Sequence, residues 1–87
     1  MALIKYDIEF IGYDTNSFIQ SNCNGLTFLN LGQAIANIES VPLQQNQSLA
    51  IDGNRCEFIA RSFQLNFTNS GGQSQNLVVI KKTYLSD

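Results

Sequence analysis

Carboxylates are the first side chains to consider for catalysis, because the chain contains no His to act as a general base at neutral pH. Asp7 and Glu9 lie two residues apart, and on a strand this spacing places both carboxylates on one face. The alternate positions are apolar: Ile4, Tyr6, Ile8 and Phe10. We expect the apolar face to turn toward the core, which leaves Asp7 and Glu9 as solvated charges. The pattern favours a half-buried strand over a catalytic pair, and the protein is predicted not to be an enzyme.

The two cysteines, Cys23 and Cys56, are the second candidates for chemistry. They lie far apart in the sequence and form no CxxC motif, and the chain has no His to join them. Neither a zinc site nor a redox motif can be assembled from them within one chain. A nucleophilic Cys56 would need an activating base, which its neighbours in sequence do not supply. We expect no metal and no cofactor, and we favour two buried thiols over a disulfide.

Aromatic and amide side chains indicate binding rather than reaction. Tyr13 and Tyr84, with neighbouring Asn or Gln, would form a platform on which sugar rings stack. Core packing is favoured for Tyr6, which belongs to the apolar face of its strand, and less strongly for Tyr13 and Tyr84. The chain contains ten Asn and eight Gln, spread along its length. Uncharged polar side chains lose water more cheaply than ions, so such a surface suits contact with another protein. The alternative hypothesis is a carbohydrate-binding module.

Composition limits the partners and the number of domains. A chain of 87 residues with 44% hydrophobic residues can bury one core, so we expect a single β domain over residues 1–87. The five Lys and Arg residues are too few and too scattered for a surface that tracks phosphates, and nucleic acid is not an expected partner. No apolar run is long enough for a membrane span, and the start lacks the features of a signal peptide.

Short alternating runs predict an all-β fold. Turn residues separate apolar segments at residues 3–13, 18–20, 26–31, 49–51, 56–60, 62–68 and 77–80. The segment 33–41 fits either alternation or a short helix, and we favour a strand. About seven or eight antiparallel strands of this length are typical of a small β-sandwich or jelly-roll-like domain.

Turn chemistry adds several expectations about connections. Asp52-Gly53 is the best hairpin signal and would join 49–51 to 56–60. Gly32 is expected to supply a positive φ angle in the turn after residue 31. Residues 69–75 predict a flexible loop. Residues 77–80 are apolar on both faces, which predicts a central strand, and the following Lys81 and Lys82 would protect an exposed edge.

Four segments in the last two thirds of the chain resemble a known group of proteins. The segments are LTFLNLG at 26–32, VPL at 41–43, SLAIDGN at 48–54 and LVVIKKTY at 77–84. They are similar to segments of small all-β virion proteins of bacteriophages. The resemblance implies a structural role in a capsid or tail, after assembly in the host cytoplasm, with no catalytic residues to carry over. We therefore expect a non-catalytic virion protein that forms homo-oligomers or docks onto other virion proteins.

Overall fold

The computed structural model describes residues 3–54 and 56–85, and within these ranges all regular structure is β. The eight strands are β1 (Tyr6–Tyr13), β2 (Ser17–Gln20), β3 (Gly25–Asn30), β4 (Ile35–Ile38), β5 (Val41–Leu43), β6 (Ser48–Ile51), β7 (Ser62–Thr68) and β8 (Leu77–Tyr84). The prediction of an all-β fold with seven or eight short strands is confirmed. The strand favoured for 33–41 is also confirmed, although it is interrupted by a turn.

The strands form two antiparallel sheets of four strands each. Sheet A has the order β1-β8-β3-β6, and sheet B has the order β2-β7-β4-β5. Consecutive strands lie in opposite sheets throughout, except β4 and β5, which pair with each other. The two sheets pack as a β-sandwich, with principal extents of 53 × 19 × 16 Å. The fold is therefore held together by pairings between residues distant in sequence.

The core lies between the two sheets. Phe28 of β3 and Phe63 of β7 meet edge to face across it, with ring centroids 5.3 Å apart. The alternation predicted for 62–68 is confirmed, because Phe63 and Leu65 are buried while Gln64 and Asn66 are exposed. The buried apolar cluster consists of Ile19, Cys23, Leu26, Phe28, Ala36, Ile38, Leu43, Phe63, Leu65, Leu77 and Val79.

The hairpin expected at Asp52-Gly53 is wrong. β6 pairs with β3, and the chain then leads to β7 in sheet B. On the way, Ile59 forms an isolated bridge with Cys23, outside the named strands. Gly53 has a different role, because a Cβ at this position would lie 2.1 Å from the carbonyl oxygen of Asn24. The glycine allows the crossing chain to lie against the start of β3.

In the part of the chain that the structure describes, the hairpin between consecutive strands lies at Glu39 and Ser40 instead. These two residues join β4 to β5 with φ angles of 49° and 74°, as a two-residue turn of the primed type requires. The positive φ expected for Gly32 is wrong. Its Cβ would lie 2.6 Å from the amide of Asn76, so close approach of the backbone explains the glycine there.

The central position predicted for 77–80 is confirmed, since β8 lies between β1 and β3. Because β8 pairs with both β1 and β3 from Leu77 to Lys82, Lys81 and Lys82 do not protect an edge, and that expectation is wrong. The edge strands are β1 and β6 in sheet A and β2 and β5 in sheet B. The cysteines are both free, but only Cys23 is buried, so the expectation of burial is wrong for Cys56.

Buried amides hold the connections between the sheets. Asn30 is fully buried, and its Nδ2 donates to the carbonyls of Ala34 (2.9 Å) and Leu43 (2.8 Å). Its Oδ1 accepts from the amide of Gly32 at 3.1 Å. These bonds partner backbone groups of the β3–β4 turn and of β5 in the interior, where polar groups need hydrogen bonds. Part of the amide content therefore stabilises the fold.

Candidate functional site

The face of β1 that bears apolar side chains lies in solvent. Relative exposures are 51% for Tyr6, 44% for Ile8 and 69% for Phe10. The expectation that this face packs in the core is wrong. Asp7 and Glu9 are exposed as expected, but they lie on the face of sheet A that carries the core further along the strand.

Strand register explains this inversion. Tyr13 and Ile11 lie opposite Leu77 and Val79 of β8, and both of those β8 residues are buried against sheet B. Because side chains alternate, every second residue of β1 must then share their face, which takes Glu9 toward sheet B and Phe10 away from it. The burial of Leu77 and Val79 thus determines that the apolar residues of β1 point outward.

The resulting surface is an apolar strip on the outside of sheet A. We define the outer strip as Tyr6, Ile8 and Phe10 of β1 with Ile80 of β8, which lies directly opposite Phe10. Among the described strands, β8 is the neighbour with which β1 makes its extensive contacts. Contiguous apolar side chains on a surface usually mark a place where another molecule binds.

A concavity of about 380 Å³ adjoins the outer strip. Ile8, Thr27 and Ile80 line it, and Asp52 and Lys82 supply one charge of each sign. The site thus combines apolar walls with a few polar groups, as binding sites for small polar molecules do.

Two tyrosines and a lysine lie at one end of the outer strip. Tyr6 and Tyr84 are opposite each other in the β1–β8 ladder, with ring centroids 6.2 Å apart in an edge-to-face arrangement. The Nζ of Lys82 lies 4.7 Å from the centroid of Tyr6 and 5.0 Å from that of Tyr84. Hydrogen bonding by the Tyr84 side chain raises the pKa of Lys82, and burial opposes the shift. Lys82 is therefore a cation at neutral pH, placed between two rings.

The structure does not bring Tyr13 and Tyr84 together. Tyr13 pairs with Leu77 at one end of the ladder, and Tyr84 pairs with Tyr6 at the other. Tyr13 also lies on the opposite face, partly buried against the core. Burial raises the pKa of Tyr13, with Glu9 adding a smaller effect of the same sign. Tyr84 thus shares its surface with Tyr6, which sequence reasoning assigned to the core.

Lys81 links the two sheets beside the candidate site by a hydrogen bond from β8 to β2. It lies on the core side of β8, opposite Glu9, and its Nζ donates to the carbonyl of Gln20 in sheet B at 2.5 Å. Asn24 ties the neighbouring segment down, because its side chain donates to the carbonyl of Glu57 (2.6 Å) and accepts from the amide of Tyr84 (2.9 Å). The lysine pair predicted to protect an edge therefore serves two different surfaces.

Groups suited to metal chemistry do not assemble in the described ranges. Within residues 3–54 and 56–85, no cluster of three or more His, Cys, Asp or Glu side chains could hold a metal ion. In the same part of the chain, no helix has the length and apolar character needed to cross a membrane.

Comparisons with protein-family models, with curated proteins and with solved structures give no match to this chain.

Proposed function

We propose that this protein is a non-catalytic structural protein that acts by self-association. The observation that carries the proposal is the outer strip, where apolar side chains of β1 lie in solvent beside a strand edge that no other described strand covers. An exposed apolar strip costs free energy in an isolated chain, at about 25 cal/mol for each Å² left in water. Burial against another copy recovers that free energy.

The location that we propose is a bacteriophage virion, in its capsid or tail. The support is the resemblance of the segments at 26–32, 41–43, 48–54 and 77–84 to small virion proteins. Three of these segments belong to sheet A, in β3, β6 and β8, and so lie in the sheet that bears the outer strip. Immunogold labelling of particles from the source of the chain tests this location, and unlabelled particles would contradict it.

Light scattering during size-exclusion chromatography over a range of concentrations tests self-association. We expect the wild type to form oligomers, and we expect Ile8→Lys to shift it toward monomers, because the variant places a cation in the outer strip. Val41→Lys in β5 is the matched control, since Val41 is also 44% exposed but lies on an edge of sheet B. A wild type that stays monomeric over the whole concentration range would contradict the proposal.

A second candidate is a carbohydrate-binding module. The observation that favours it is the Tyr6 and Tyr84 pair beside a concavity with Asp52 and Lys82, because aromatic rings stack on sugars while charged groups accept and donate hydrogen bonds. A glycan array tests it. Binding that Tyr84→Ala abolishes and Tyr13→Ala leaves in place would support this candidate, and an array without signal would remove it.

A further inference from the structure

The outer edge of β1 has backbone groups available for pairing. In an antiparallel ladder, the hydrogen-bonding groups of successive residues alternate between the two edges of a strand. The amide of Leu85, which directly follows β8, donates to the carbonyl of Lys5 at 2.9 Å. The backbone N–H and C=O groups of Lys5 therefore point toward the β8 side of the strand. By alternation, the backbone groups of Ile4, Tyr6 and Ile8 face away from β8. The amide of Ile8 accordingly donates to the Asp7 carboxylate, at 3.0 Å.

We propose that this edge pairs antiparallel with the same edge of a second copy, in the register that places Tyr6 opposite Tyr6. This inference rests on the proposed self-association and specifies its geometry. A two-fold axis through the Tyr6 pair sets Lys5 opposite Asp7 of the second copy, and Ile4 opposite Ile8, twice each. The pairing joins the two A sheets into one continuous sheet.

Charge complementarity selects this register among the neighbouring ones. Centring the axis on Lys5, Asp7 or Glu9 places that charge opposite its own copy, and centring it on Ile8 places Asp7 opposite Glu9. Like charges directly opposite each other destabilise a strand pair. Centring on Phe10 opposes no like charges, but it makes no ion pair and sets Ile8 against Gly12. Centring on Asp7 also sets Lys5 opposite Glu9 twice, but it keeps the repulsive Asp7 pair. The Tyr6 register alone of these gives two opposite-charge pairs with no like-charge pair, and it places isoleucine opposite isoleucine.

Pairing would exchange one set of partners for another without leaving a group unsatisfied. The amide of Ile8 would release Asp7 and donate to the carbonyl of Ile4 in the second copy. The freed Asp7 carboxylate would then meet Lys5 across a close, non-hydrogen-bonded pair of positions. Asp7 thus protects the edge in the single chain and contributes an ion pair in the dimer, which is a known use of charge on edge strands.

Space for a second copy exists on both faces of the edge. All five residues from Tyr6 to Phe10 are exposed, whether their side chains point outward or toward the side of sheet B. Sheet B therefore does not obstruct a strand added at this end of β1. The outer strips of the two copies would lie on one side of the joined sheet and form one apolar surface.

Charge reversal tests the register. Lys5→Glu and Asp7→Lys should each raise the dissociation constant of the dimer about tenfold, because each creates two like-charge pairs across the axis. The double variant restores opposite charges and should return the constant to within about threefold of the wild type. Sedimentation equilibrium measures the constants, and circular dichroism checks that each variant retains its strands.

A control distinguishes the possible registers by asking which second substitution restores dimerisation of Lys5→Glu. In the Tyr6 register Glu9 lies opposite Leu3, so Glu9→Lys should not rescue Lys5→Glu. Rescue by Glu9→Lys instead of Asp7→Lys would show the register centred on Asp7 and overturn the inference. An oligomer that no charge reversal affects would overturn the inference and leave self-association in place. A monomeric wild type would overturn both.

Disulfide trapping gives an independent measurement in a Cys56→Ser background, which removes the exposed native thiol. Opposed residues in a hydrogen-bonded pair have Cα atoms about 5.5 Å apart, within the range that a disulfide spans. Tyr6→Cys should therefore form a covalent dimer under mild oxidation. Phe10→Cys is the matched control, since in this register it lies about 27 Å from its own copy. Trapping at position 10 and not at position 6 would contradict the register.

Discussion

β1 and β7 have similar sequence patterns but lie in opposite environments. Both alternate apolar and polar residues, yet Leu65 of β7 is fully buried while Phe10 of β1 is 69% exposed. β7 is a central strand of sheet B and contacts β3 across the core through Phe63 and Phe28. β1 is an edge strand, and its residues from Tyr6 to Phe10 are all exposed. Alternation therefore identifies which residues share a face, but the opposing sheet determines whether that face is buried.

The largest expected difference between these two strands is the loss of unfolding free energy when an apolar side chain is truncated. Leu65→Ala should lower the free energy of unfolding by about 2–5 kcal/mol, because it leaves a cavity in a packed core. Ile8→Ala should lower it by less than about 1 kcal/mol, since Ile8 is already largely in water. Urea unfolding at neutral pH and low protein concentration measures both. Similar losses for the two variants would show that the outer strip is covered in the single chain.

Asparagine residues provide the next comparison, between a buried and an exposed amide. Asn30→Ala should cost about 2–4 kcal/mol, because it removes a buried donor from the carbonyls of Ala34 and Leu43 and an acceptor from the amide of Gly32. Asn37→Ala should cost less than about 1 kcal/mol, since its partners, the carbonyl of Asn66 and the hydroxyl of Thr68, remain accessible to water. Thermal unfolding followed by circular dichroism gives the difference. Equal midpoints would contradict the role assigned to Asn30.

Glycines extend the comparison to the backbone. Gly53→Ala should lower stability by about 1–3 kcal/mol, because its Cβ would meet the Asn24 carbonyl oxygen and force the crossing segment to move. Gly12→Ala in β1 meets nothing within 4 Å, so we expect no loss and a gain of up to about 0.5 kcal/mol. Denaturant midpoints of the two variants should therefore move in opposite directions. A destabilised Gly12→Ala would indicate that β1 is more confined than its surroundings show.

The strands could be predicted from the sequence, but their partners could not. Alternation at 62–68 and apolar residues on both faces at 77–80 depend on local spacing, which the chain displays directly. Pairing depends on which sheet the next strand joins. Asp52-Gly53 has the residues of a hairpin turn, yet the chain crosses to the other sheet there. Glu39 and Ser40 lack those residues and adopt positive φ angles because β4 and β5 pair on either side of them.

The sequence predicts that the apolar face of β1 is buried, whereas the structure exposes it, and the reason is related. Tyr6 belongs to an apolar face, and the prediction that it lies in the core assumes that a second layer covers that face. The sequence indicates Tyr84 as a binding candidate, but its partner Tyr6 becomes adjacent only through the β1–β8 register. The close approach of Gly53 to the Asn24 carbonyl likewise joins residues far apart in sequence. So do the hydrogen bonds of the Asn24 side chain with Glu57 and Tyr84. Local patterns contain no signal for such contacts.

The smallest predicted effect is a difference between the two sheets in how their ionisable groups make the free energy of unfolding depend on pH. In sheet B, a hydrogen bond from Arg61 at 2.7 Å, supported by the amide of Gln64 at 3.1 Å, holds the pKa of Glu39 below its usual value. Glu39 therefore stabilises the fold above the unfolded pKa of about 4.3, and this contribution is lost as pH falls through the folded pKa. In sheet A, the pKa of Lys82 is raised, so its contribution is present below about pH 10.4 and is lost as pH rises through the folded pKa.

Matched amide variants separate the two contributions. Glu39→Gln should flatten the dependence of unfolding free energy on pH below about pH 4.3 and leave the alkaline side unchanged. Lys82→Gln should do the reverse, flattening the dependence above about pH 10.4. Both side chains are accessible to solvent, so salt should weaken both effects. Urea unfolding across the acid and alkaline ranges measures them. An acid dependence that Glu39→Gln leaves intact would contradict the role assigned to Glu39.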